Sequence, residues 1–129
     1  MTRGAIDLKI VADRLAIVSA CLRDLRSLPS ASLAEFLADS RNAAAAESYL
    51  RRALEGLLDV ARHLLAKGFG EATVDYRQTA LRAVERGLVR DRDAGARFPL
   101  LAAYRNRLTH FYAEVTPEEL FGIVTGELA

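Results

Sequence analysis

Apolar residues recur every three to four positions through almost the whole chain, and no stretch alternates apolar and polar residues between turn signals as a half-buried strand would. That period leaves room for helices only, so the fold class is all-α. Leu8, Val11, Leu15, Val18, Leu22 and Leu25 share one helical face, and the following LPSAS stops the helix, predicting a first element over about 6–26. Ser32 with Glu35 three residues on is a capping-box pattern for a short helix. Ala46, Leu50, Leu54, Leu57, Ala61, Leu64 and Leu65 form the stripe of the longest helix, about 41–67, which ends in glycine. A fourth helix is predicted over about 75–88, and a fifth runs through GARFPLLAAYRNRLTHF, with Pro99 in its first turn or at a kink. Thr116 as N-cap, Pro117 at the first helical position and Glu119 at the capping-box position open the last. Short connections favour antiparallel neighbours. The expected architecture is therefore an antiparallel helical bundle with four main helices and one or two short ones.

A chain of 129 residues suits one domain, taken here as 1–129, and 27% charged with 51% hydrophobic residues is the composition of a folded globular protein. Cys21 has no companion for a disulfide or a metal site, which points to a buried small hydrophobe in a reducing cytoplasm. Asp7, Lys9, Asp13 and Arg14 interrupt the apolar N-terminal segment too early for a signal peptide or a membrane span, so neither export nor anchoring is expected. A net charge of +1 excludes nucleic-acid coating by bulk charge but not a local basic cleft. Arginine supplies nearly all the positive charge, Lys9 and Lys67 being the only lysines, and it concentrates in RGLVRDRDAGARF and YRNR. Guanidinium suits bidentate phosphate contacts.

The stretch YRNRLTHFYAEV carries the chemistry. Successive residues stand about 100° apart around a helix, which places Leu100, Leu101, Tyr104, Leu108 and Phe111 toward the core. Arg105, Asn106, Thr109 and His110 fall on the other side, with Asn106 and His110 one turn apart. They are expected to face away from their own bundle. On the long helix Glu55, Asp59 and His63 make a second polar stripe. Two acids and one histidine are thin for a metal site, so a solvated charge ladder is expected there, with Asp59 holding an arginine of the cleft as its other role. There is no glycine-rich phosphate loop, no zinc-binding cysteine and histidine set and no G-x-S-x-G elbow. No metal and no cofactor are expected. Histidine is the residue type suited to proton transfer near neutrality, and His110 is the candidate.

Arg105, four residues, His110, one residue and Tyr112 reproduce the R-x4-H-x-Y motif of the HEPN superfamily (higher eukaryotes and prokaryotes nucleotide-binding), specifically its HepT toxin branch. The chain resembles that family almost throughout, most closely over 30–66 and 98–124. Thr109 departs from it, since the family often has valine there, and so does Pro99 inside the expected motif helix. The resemblance implies a metal-independent endoribonuclease toxin, a homodimer with RNA as its substrate, neutralised by a minimal nucleotidyltransferase antitoxin of the MntA type. It assigns catalysis to Arg105, His110 and Asn106, and makes Tyr112 the acceptor of AMP from ATP. One imidazole cannot readily serve both oxygens of an in-line displacement at phosphorus. A twofold dimer supplies two copies of His110, one as base and one as acid, and paired Arg105 groups for the phosphorane. The alternative is a non-catalytic HEPN partner that binds nucleotide or substrate for a separate nucleotidyltransferase; such members tend to lose the Arg and His pair that this chain keeps.

Overall fold

The computed structural model describes residues 6–110 and 114–127. Six α-helices follow in order: α1 (Leu8–Arg26), α2 (Leu33–Leu37), α3 (Ser40–Phe69), α4 (Tyr76–Glu85), α5 (Arg92–His110) and α6 (Pro117–Gly122), the last continuing as a π-helical turn, Ile123–Glu127. No strand occurs among the described residues. Most helix starts have a local cause. The Asp7, Ser32, Asp39, Asp75 and Thr116 side chains accept hydrogen bonds from backbone N–H groups at the starts of α1, α2, α3, α4 and α6. α3 stops at Gly70, whose φ of 68° is left-handed, and the N–H groups of Gly70 and Glu71 both return to the Leu65 carbonyl. Pro99 lies inside α5, which begins seven residues earlier at Arg92.

α3, about 45 Å long at 1.5 Å per residue, is the axis on which the others pack. α1 runs antiparallel to it: Asp7 N–H donates to His63 Nε2 at 3.0 Å, Arg14 meets Asp59, and Val18 lies against Gly56. A Cβ on Gly56 would stand 2.9 Å from Val18 Cγ2, so that glycine is what lets the two helices approach. Residues 70–75 return the chain along α3, so α4 begins beside Asp59 and Arg62 and ends with Arg86 over Phe69. α5 then comes back antiparallel, with Gly95 beside Val84 and Arg105 reaching Glu55.

The core has one cluster around Leu25, Phe36, Leu50, Leu54, Leu108 and Leu120 and another around Leu58, Ala61, Ala80, Ala83, Phe98 and Ala102. Full burial contributes about 1.5–3 kcal/mol for each large aliphatic side chain. Cys21 is buried against Val18 and Ala53. Of the expected stripe of α3, Ala46, Leu50, Leu54, Ala61 and Leu65 are buried and Leu57 and Leu64 partly so. α1 and α5 differ from expectation. Leu8 and Leu15 are exposed because α1 packs mainly against α3 alone, leaving one flank of its apolar face uncovered. Of the expected face of α5, Leu108 is buried and Leu101 and Tyr104 pack against the core, but Leu100 is 60% exposed, and Gly95, Phe98 and Ala102 are buried beside them. Phe111 lies outside the described residues.

Candidate functional site

The breadth of that inner face decides where the polar residues go. Phe98, Ala102, Arg105 and Thr109 follow at i, i+4, i+7 and i+11, one continuous stripe. Phe98 and Ala102 are buried between α3 and α4, and Arg105, next along the stripe, is drawn into the same seam with its side chain only 22% exposed. The expectation that Arg105 and Thr109 face away from the bundle is thus overturned: the inner face of α5 extends beyond Leu101 and Leu108 to Phe98 and Ala102, and Arg105 and Thr109 lie along that added edge. Thr109 Oγ1 is buried without a hydrogen-bond partner among the described residues, the behaviour of a position suited to an apolar side chain. Asn106 is half-buried, and His110 is exposed at the end of α5.

Arg62 from α3, residues 74–76 at the start of α4, and Arg105, Asn106 and His110 from α5 line one open cleft of about 530 Å³. So three of the sequence-assigned residues share a single site. The fourth, Tyr112, lies outside the described residues. Arg105 Nε donates to Glu55 at 3.3 Å, its Nη1 to Asn106 Oδ1 at 3.3 Å, and its guanidinium lies over the Tyr76 ring, 4.7 Å from the centroid. Arg62 lies over the same ring at 4.5 Å. The Tyr76 hydroxyl donates to Asp59 at 2.6 Å, and Asp59 also pairs with Arg14. Asp59 therefore acts on the cleft through the tyrosine on which Arg105 rests, not by holding Arg105 itself. Three basic side chains face one carboxylate, Asp75, which is engaged as the N-cap of α4. Such a cleft favours an anion.

The second polar stripe of α3 is fully employed. Glu55 pairs with Arg105 and Arg51, Asp59 with Tyr76 and Arg14, and His63 accepts from the start of α1. Among the described residues no group of three or more His, Cys, Asp and Glu is placed to hold a metal ion, and no helix is long and apolar enough to cross a membrane. An apolar groove of about 190 Å³ between α1, α3 and α5 carries neither imidazole nor guanidinium. The floor of α5 is pinned from the other side: Arg107 grips Glu119 through two hydrogen bonds of 2.8 and 3.1 Å, and Tyr104 donates to the same carboxylate. Glu119, expected in a capping box, contributes its N–H to Thr116 while its side chain ties α6 to α5.

Burial, then the hydrogen bond to Asp59 and its charge, push the Tyr76 phenol up to about 12, against the pull of Arg62 and Arg105. A phenol raised in the folded state stabilises it fully below the unfolded value of 10.0 and loses that contribution as pH rises toward 12. In Tyr76→Phe this part of the alkaline loss of stability should be absent, as read from urea midpoints between those pH values.

Arg62 and Tyr76 were not singled out from the sequence. Arg62 stands three residues after Asp59 and seven after Glu55, on the side of α3 that this polar stripe flanks. Tyr76 gives no periodic signal, because it acts from the first turn of α4 after a return of the chain that only the fold reveals.

A family model described as Ribonuclease HepT-like matches residues 18–129. No curated protein matches the chain.

Proposed function

We propose that this chain, which belongs to the HepT-like ribonuclease family and has its HEPN helical fold, is a metal-independent endoribonuclease toxin that acts as a homodimer in the cytoplasm. The observation that carries the reading is the convergence of Arg105, Asn106 and His110 on one basic cleft, with His110 exposed at its rim. The chain's other histidine, His63, is occupied at the start of α1 and does not line this cleft. A second proton-transfer imidazole would therefore come from the His110 of another copy.

In the proposed reaction a neutral His110 takes the proton of the ribose 2'-hydroxyl, whose oxygen attacks the adjacent phosphorus. The bond to the 5'-oxygen breaks, and the protonated His110 of the second copy supplies that oxygen's proton. A 2',3'-cyclic phosphate and a 5'-hydroxyl result. Arg105 donates to the phosphorane oxygens, where charge builds up in the transition state. Its contacts with Glu55 and Tyr76 hold the guanidinium in place beforehand, and Asn106 orients it through the Oδ1 contact.

Purified protein should be dimeric by sedimentation and should cleave RNA in EDTA, leaving cyclic phosphate ends by mass spectrometry. Loss of cleavage in chelator, or products ending in a 3'-hydroxyl, would refute the mechanism.

A further inference from the structure

The cleft holds a cation that this mechanism does not use. Arg62 Nε is buried with no hydrogen-bond partner, and Arg62 is in no ion pair among the described residues. Its neighbours differ: Arg105 is matched by Glu55, Arg14 by Asp59 and Arg107 by Glu119. The nearest acid along its own helix, Asp59, is already committed to the Tyr76 hydroxyl and Arg14. A guanidinium partly withdrawn from water without a counter-charge is costly unless an anion completes it. The ring of Tyr76 supplies only a cation–π contact. Asp59 fixes that ring, and both Arg62 and Arg105 rest on it, so one aromatic ring positions the two guanidiniums.

We propose that Arg62 is a second phosphate-binding residue, gripping a phosphodiester of the RNA strand next to the one that Arg105 engages. This rests on the ribonuclease reading above and extends it to how the strand is held. Arg105 and His110 both come from α5 and define the reacting phosphate; Arg62 comes from α3 and meets the strand beside it. Arg62 contributes to binding and not to the chemical step.

Binding of a fluorescently labelled single-stranded RNA to a His110→Ala protein, followed across salt concentrations, reads this directly. Each phosphate neutralised on a single strand contributes about 0.7 to the slope of log affinity against log salt. Adding Arg62→Gln should weaken binding and flatten the slope by about that amount for each phosphate no longer neutralised, whereas Arg62→Lys, which keeps the charge, should retain the slope. In protein with His110 intact, Arg62→Gln should raise KM and leave kcat within a few-fold. An unchanged slope in a folded Arg62→Gln variant, or a flattened slope in Arg62→Lys equal to that in Arg62→Gln, would overturn the phosphate contact while leaving the ribonuclease reading in place. A His110→Ala parent with no affinity for RNA would overturn both.

Discussion

His110→Ala is expected to lower kcat for RNA cleavage by about 10²–10⁴, the usual contribution of a general acid or base, in a protein that melts almost as the wild type does. His110 is exposed at the end of α5, so its truncation opens no cavity, and stability should change by no more than about 1 kcal/mol. Arg105→Ala is a less discriminating variant. It takes a half-buried guanidinium off Tyr76 and leaves Glu55 with only Arg51, so it should cost about 1–3 kcal/mol of stability in addition to activity. The decisive form of the experiment uses dimers with one wild-type and one His110→Ala chain, purified through different tags. Where one imidazole is base and the other acid, every active site in such a dimer lacks a partner, and the mixed dimer should be nearly as inactive as the doubly substituted one. Activity in proportion to the single intact histidine would sink the composite site and make each chain its own catalyst.

Most of the helices were legible because they carry their own start or stop chemistry. Asp39 and Gly70 bound α3, and Thr116 with Pro117 opens α6, without reference to the rest of the molecule. The faces of the helices were less so. On α5 Leu101, Tyr104 and Leu108 pack on the core as their spacing implies, but the seam with α3 and α4 also takes in Gly95, Phe98 and Ala102, which widens the inner face and leaves Leu100 outside it. Close approach selects for small residues, and a scale that rewards size misses it. The same error hid the setting of Arg105: a cation in an otherwise inward stripe reads as exposed until the stripe is drawn through Phe98 and Ala102. The motif residues themselves were found because they lie within one helix. Arg62 and Tyr76 join them only through packing, across 43 and 29 residues of chain from Arg105.

If the chain is silenced as its family resemblance implies, co-expression with a minimal nucleotidyltransferase of the MntA type should add AMP to Tyr112 and abolish RNA cleavage. In the proposed step the Tyr112 hydroxyl oxygen attacks the α-phosphorus of ATP, pyrophosphate departs, and the phenolic proton is lost to solvent. The product is a phosphodiester that carries one negative charge two residues beyond His110. The cleft presents Arg62, Arg105 and His110 to an anion, so a tethered phosphate and its nucleoside should occupy the position intended for an RNA phosphate, at an effective concentration no free strand matches. Inhibition should accordingly persist after the nucleotidyltransferase is removed, and a phosphodiesterase that releases AMP should restore cleavage. Tyr112→Phe keeps the ring but removes the acceptor oxygen. That variant, if cleavage-competent alone, should remain toxic in the presence of the nucleotidyltransferase. Intact-mass and peptide mass spectrometry decide the matter. A fully silenced complex with an unmodified Tyr112 would mean that the partner inhibits by covering the cleft, and Tyr112 would then be reassigned as a contact for RNA.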